Sequence, residues 1–562
     1  MSYMVEFAQQ QIAEAIKRAA KQAVQMGELP ILPVGDFLLE VPADRQNGDL
    51  ASNAAMAWAR ELRMSPRKTA EILANKIDLS DTYANHVEAA GAGFLNFTLS
   101  ERYYAKVVED ILSKGEAYGE SNYGENSRIL VEFVSANPTG PMHMGNARGG
   151  ALGDCLAAVL QRVGFTVERE FYVNDSGNQI EKFGLSLDVR YRQLLGENVE
   201  LPEDAYHGDD ITQRAREFIE LYGDSCLRQS EKARRSALVQ YALPQNIAAM
   251  RQNMKKYRIE YDTWFCESSL YQSGEVERVI ALFRDSEYTY ESEGALWFKG
   301  TEFGCDKDFV LVRSNGLPTY IVPDIAYHYN KLVTRGFDKA INILGADHHG
   351  YTIRLAAVLK AIGIDTTKLD IVLIQLVKLM RNGEVVRMSK RTGKSITLED
   401  LLDEIPIDAL RFFFNMRDPS SKIDFNLDLA VEESSQNPVY YCQYAHARIC
   451  SIFNKLAQEG VTPRNCTPEE LSRLNAPEER ELIRLLSRYT GELIEAAKQY
   501  DPARVTRYCM ELAGQFHRFY NACRVKTEDE ALTQARLALC QCVRATISNI
   551  LHMFKMTVPE KM

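Results

Sequence analysis

His143, Gly145 and Asn146 stand where a short apolar run and a loop give way to a helical period, and Arg387, Lys390, Arg391 and Lys394 place four cations within eight residues much further along the chain. A helix N-terminus presents free N–H groups and partial positive charge to phosphate oxygens. Gly145, with no Cβ, lets the backbone approach a nucleotide closely. The later cations would neutralise charge as pyrophosphate departs, which is the chemistry of nucleotidyl transfer by positioning and electrostatics. Each half has a plainer alternative: an incidental histidine in a Gly/Pro-rich turn, and a solvated basic loop. No Walker sequence offers a competing phosphate site.

The elements that must hold these residues alternate between strand and helix. Residues 129–134 read as a buried strand, 135–141 as a loop and 145–163 as a helix, followed by a strand at 166–173 and a helix from about 178. Strands are expected at 309–313 and 319–322 around Asn315-Gly316, then a helix from Asp324, a strand at 340–344, another helix, and a strand at 369–376. This is the pattern of a doubly wound parallel sheet. Residues 197–292 are charged and read as a mostly helical insertion into it. The first hundred residues form a smaller α+β unit, with a helical period at Ile12, Ala15, Ile16 and Ala19, a Ser65-Pro66-capped helix over 65–76, and an alternating strand at 93–99. Beyond Asp400 no strand is expected, and spacings such as Leu482, Leu485, Leu486, Leu493 and Ile494 predict a helical bundle.

At 562 residues the chain is too long for one core, and 46% hydrophobic with 25% charged residues is the balance of an ordinary globular protein. No apolar run reaches membrane-spanning length, and the first eleven residues lack a signal peptide's basic start and continuous apolar stretch. Eleven scattered cysteines, none in a C-x-x-C pair, point to free thiols in the cytoplasm and to no protein-bound zinc. The net charge of −11 argues against indiscriminate nucleic-acid coating. From Tyr441 onward, however, seventeen Lys and Arg face fourteen Asp and Glu, as a local contact with a polyanion would need and as chance would also allow.

Taken with their flanks, these motifs resemble the arginyl-tRNA synthetase family of class I. His143-Met144-Gly145-Asn146 resembles the class's HIGH motif and Met388-Ser389-Lys390 its KMSKS loop. The run from Val131 to Pro141 resembles the family's lead-in to HIGH, and Asp408-Ala409-Leu410-Arg411 the tetrapeptide that names its anticodon-binding domain. Residues 437–441 and 443–448 resemble the opening helix of that domain. The resemblance spans nearly the whole chain. It implies a small α+β N-terminal domain touching tRNA (1–110), a Rossmann-type catalytic domain (111–400) and an all-α anticodon-binding bundle (401–562). It also implies an arginine–tRNA ligase that uses ATP with Mg2+, L-arginine and tRNA(Arg), needs tRNA present for activation, and works as a monomer in the cytoplasm.

The same resemblance assigns residues. His143, Gly145, Asn146 and Lys390 would be catalytic, and Gly345, Asp347, His348 and Met388 would join His143, Gly145, Asn146 and Lys390 in binding ATP. Glu132, Ser135, Asn137, Tyr320 and Asp324 would line the arginine pocket, and Phe94, Asn96, Tyr444 and Arg448 would touch tRNA. A permanently charged, planar, forked guanidinium suits two carboxylates, here Glu132 and Asp324. A neutral amino acid would leave both unpaired, which makes the pair a selectivity device. Two positions depart from the family pattern: Asn146 replaces the second histidine of HIGH and can hydrogen-bond without carrying charge, and Arg387 replaces the first lysine of KMSKS.

Overall fold

The computed structural model describes residues 4–562 except Val34, Ala43, Asp347, His348, Arg387 and residues 389–395. Asp347, His348, Arg387, Lys390, Arg391 and Lys394 therefore lie outside the described residues.

Five parallel strands form the central sheet in the spatial order Leu369–Ile374, Lys339–Gly345, Arg128–Glu132, Thr166–Val173, Thr263–Cys266. The chain enters at the middle strand, winds outward to one edge, and returns to build the other side. The winding direction thus reverses between Arg128–Glu132 and Lys339–Gly345, and a crevice opens there beyond the strands' carboxyl ends. Helix Gly145–Arg162 packs over the sheet, and its close approach depends on Gly153, where an added Cβ would fall 2.2 Å from Phe133 Cγ. Gly153→Ala is expected to destabilise the protein by about 1–3 kcal/mol through overpacking, visible as a lowered thermal midpoint.

Three local expectations change. Residues 319–322 are not a strand: the hairpin closes only at a bridge between Val312 and Pro318, and Ile321–Tyr329 is a helix. Pro323 fits that helix's first turn, and tertiary packing overrides the β-propensity of Thr-Tyr-Ile-Val. Residues 197–292 are helical over Asp209–Tyr222 and Glu231–Lys256, but Thr263–Cys266 returns to the parallel sheet and Thr289–Ser292 begins a three-stranded antiparallel one. Past Asp400, where no strand was expected, Ile423–Asn426 pairs in parallel with Val377–Arg381. At four residues it is too short to stand out from the helical periods around it.

The N-terminal unit is a four-stranded antiparallel sheet carrying helices Met4–Gln25, Ala54–Leu62 and Pro66–Ala74, the last capped by Ser65. Helices Pro438–Gln458, Pro477–Ser487, Tyr489–Gln499, Ala503–Ala522 and Glu530–Met553 make the C-terminal bundle.

The bundle is locked to the sheet by one buried carboxylate. Asp154, on the Gly145–Arg162 helix and only 1% exposed, meets Arg411, Arg169 (3.0 Å) and Lys555 (2.9 Å). Arg411 also donates to the carbonyls of Phe554 (2.7 Å) and Tyr257 (3.1 Å). Asp408, at the other end of the same tetrapeptide, takes Arg258 at 2.6 Å. Burial pushes the Asp154 carboxyl upward, but the three cations outweigh it and hold the group below its usual range.

Candidate active site

A cleft of about 600 Å³ opens at the reversal point between the two central strands. Glu132, Ser135 and Asn137 line it from the end of one strand, and Gly145 and Asn146 from the helix entrance. Tyr320, Asp324 and Gly345 line the opposite wall. Eight of the residues expected from sequence therefore converge on one cavity.

The phosphate end is built on local backbone geometry. His143 is exposed, and its Nδ1 accepts a hydrogen bond from the Gly145 N–H at 3.1 Å, which leaves Nε2 to carry the proton and donate outward. The motif is also stitched to the segment following the basic loop. His143 bridges to Thr397, Met144 N donates to Ile396 O (3.2 Å), and Leu398 N donates to Met142 O (2.8 Å). Met388 is exposed, and the remaining loop cations fall outside the described residues.

Just past the Arg128–Glu132 strand, Val134 and Ser135 adopt positive φ of 72° and 42°. Left-handed backbone at a β-branched valine is strained, and the surrounding contacts must hold it. Ser135 Oγ accepts from Tyr172 N (3.1 Å) and donates to Glu132 Oε1 (2.9 Å).

Glu132 is already taken. Its Oε2 lies 2.5 Å from the ammonium of Lys331, so it enters the cleft wall already paired with one cation. Burial would raise its carboxyl, but Lys331 and the Ser135 hydroxyl outweigh burial and hold it below the ordinary value. Asp324 differs: it has no ion-pair partner among the described residues and accepts a hydrogen bond from the Tyr351 hydroxyl. Burial, followed by the fields of Glu132 and Glu267, raises its carboxyl to about 7 against the lowering effects of Tyr351 and Lys331. Glu267, near Asp324, likewise has no ion-pair partner among the described residues; it is buried behind Tyr172, whose hydroxyl donates to it at 2.6 Å, with Ser176 as a further donor. Sequence reasoning missed Glu267, Tyr172, Tyr351 and Lys331. Glu267 follows the strand Thr263–Cys266 inside the segment expected to be a helical insertion, Tyr351 lies beyond the histidine pair, and Lys331 sits in a largely apolar-aromatic stretch. Tyr320 is 68% exposed at the mouth, its ring 6.2 Å from that of Tyr351.

The residues expected from sequence to touch tRNA lie elsewhere. Phe94 is exposed on the N-terminal sheet, whereas Asn96, on the same strand, is only 5% exposed. Tyr444 and Arg448 form a surface patch on the bundle: Arg448 donates to the Tyr444 hydroxyl (3.2 Å) and lies 4.5 Å over the Tyr520 ring, with His517 beside Tyr444.

A parallel sheet with its cleft at the reversal point, and with a His-x-Gly-Asn helix entrance bridged to the end of a basic loop, defines a class I aminoacyl-tRNA synthetase. Family models agree: residues 107–423 match tRNA synthetases class I (R), catalytic domain; residues 8–99 match the arginyl tRNA synthetase N terminal domain; and residues 442–562 match the DALR anticodon binding domain. The chain belongs to the arginyl-tRNA synthetases, the arginine–tRNA ligases. It is 52% identical to the arginine–tRNA ligase of Caldanaerobacter subterraneus subsp. tengcongensis and 50% identical to that of Acetivibrio thermocellus, with 100% of each chain covered in both cases. The arginyl-tRNA synthetase structure from Thermus thermophilus shares the fold at a TM-score of 0.71 and 22% identity, covering 98% of this chain and 100% of that one.

Proposed function

We propose that this ligase binds the arginine guanidinium between Asp324 and Glu267 and activates the arginine carboxylate at a phosphate site formed by His143 and the helix entrance at Gly145. The observation that carries the reading is Asp324 itself, a half-buried carboxylate facing the cleft without a cation among the described residues. A guanidinium supplies the missing charge with forked donors. Ser135, on the strained turn, and Asn137, two residues beyond it, orient the amino-acid backbone, and Tyr320 covers the mouth.

The carboxylate oxygen of arginine attacks the α-phosphorus of ATP in line, the bond to the β-phosphate oxygen breaks, and pyrophosphate leaves with its electron pair. His143 Nε2–H and the N–H groups of the helix entrance stabilise charge on the α-phosphate. Gly345, Asp347 and His348 serve the adenosine, and Met388 and Lys390 close over the leaving group. ATP enters as its Mg2+ complex, the metal belonging to the substrate. The terminal ribose hydroxyl of tRNA(Arg) then displaces AMP. Tyr444, Arg448 and Tyr520 offer a stacking platform for bases, and Phe94 offers a second ring. One chain carries both cleft and bundle, as a monomer requires. Its eleven cysteines are all free, as in the reducing cytoplasm, and no helix among the described residues is long and apolar enough to cross a membrane.

The test is ATP–pyrophosphate exchange in the presence of tRNA(Arg). His143→Ala is expected to reduce kcat by roughly 100- to 1000-fold with little change in the KM for arginine. A variant that loses arginine affinity and keeps kcat would remove His143 from the phosphate site.

A further inference from the structure

Lys331 lies in the π-helical turn Asn330–Thr334 and is completely buried beneath the cleft. Its ammonium is 2.5 Å from Glu132 Oε2, donates to Asn342 Oδ1 at 3.1 Å, and sits 3.9 Å over the Tyr327 ring. Glu132 and Asn342 are register partners on the two strands that flank the reversal point, and both line the cleft.

Two chains of hydrogen bonds leave this ammonium. One passes through Glu132 to Ser135 and the strained turn. The other runs from the Asn342 amide, which donates to His328 Nε2 at 2.9 Å, to His328 Nδ1–H, which donates to the backbone carbonyl of Asp324 at 2.8 Å. Lys331 therefore braces both walls of the pocket without touching the cavity. A buried ion pair is a weak source of stability, since an apolar pair of similar volume often serves as well. Its position under a cation-binding cleft calls for a different account.

We propose that Lys331 is a positioning and specificity-determining residue whose ammonium occupies Glu132 permanently, leaving Asp324 and Glu267 as the carboxylates that meet the substrate guanidinium. The proposal rests on the reading that arginine's guanidinium binds at Asp324 and Glu267. Without the ammonium, Glu132 becomes a second unpaired carboxylate lining the cavity beside Asp324, and a forked guanidinium gains a competing seat. Arginine seated there points its carboxylate away from His143, so it binds without reacting. Without Glu132, the ammonium is left uncompensated under the pocket and repels the substrate.

The two single substitutions should therefore act with opposite sign. Steady-state aminoacylation of tRNA(Arg) is measured on the full-length protein and on Lys331→Met, Glu132→Gln and the double variant. In Lys331→Met, kcat should fall more than about tenfold while the KM for arginine falls or holds. In Glu132→Gln, the KM should rise about tenfold or more. The double variant, with no charge in either position, should return both constants to within about threefold of the parent.

A rise in KM in both single variants, or a double variant no better than the worse single, overturns the proposal and leaves Lys331 a packing residue. Arginine constants unmoved in all three overturn the seat at Asp324 and Glu267 as well. If Lys331→Met loses its circular-dichroism spectrum, Glu132→Gln and the double variant decide by the same criteria. Loss of the fold in the double variant would also overturn the proposal, because it would show that the pair is needed for folding.

Discussion

Asp324→Asn is expected to raise the KM for arginine by roughly 100-fold, the scale of about 3 kcal/mol for removing one partner of a buried charge pair. The native group should also give arginine binding a pH dependence. With its carboxyl raised to about 7, chiefly by burial, free Asp324 is largely protonated below neutrality. A guanidinium binds the ionised form, so arginine affinity should fall about tenfold per pH unit below 7 and level off above it, with uptake of arginine at acid pH releasing a proton. His328, lowered to about 4 by burial and the nearby ammonium, stays neutral throughout this window and does not mask the effect. Linkage fixes the sign for stability. The folded carboxyl is raised above its unfolded value, so its contribution is fully present below about pH 4 and is lost as pH rises through 7. Arginine should accordingly stabilise the protein more at pH 8 than at pH 6, by thermal shift, and Asp324→Asn should abolish the difference. A pH-independent arginine affinity would sink this account.

Asp154→Ala should destabilise the protein by about 3–5 kcal/mol, because it strands cations in the interior. The folded carboxyl is depressed below its unfolded value, so the contribution is present above about pH 4 and is lost as pH falls through the folded value. Urea melts at pH 7 and pH 3 should show the variant's deficit shrinking in acid. A deficit equal at both pH values would point to packing instead of charge.

The motif residues were legible because their chemistry demands a local backbone setting. Gly145 must open a helix after a strand and loop, and it does. The parallel strands were legible as apolar runs, and Thr166–Val173 falls where its pattern placed it. What was not legible depended on partners distant in sequence. The pairing of Glu132 with Lys331, 199 residues away, has no local signature. Glu267 carries no local signature, since its importance comes from Tyr172 on a neighbouring strand and from its field at Asp324. The segment at 319–322 has strand-like residues, yet the fold needs a helix there to turn Asp324 toward the cleft.

The lock at Asp154 bears on how this gene can be cut. A fragment ending near residue 400 would keep Asp154 on its helix but lose both Arg411 and Lys555, leaving Arg169 alone against a carboxylate that the intact fold surrounds with three cations. The Asp408–Arg411 tetrapeptide is thus a hasp between regions that sequence boundaries would separate. Bundles exchanged between relatives should work only when the tetrapeptide and the chain's last turn travel together with a compatible Asp154, and catalytic fragments made without them should be recovered as insoluble protein.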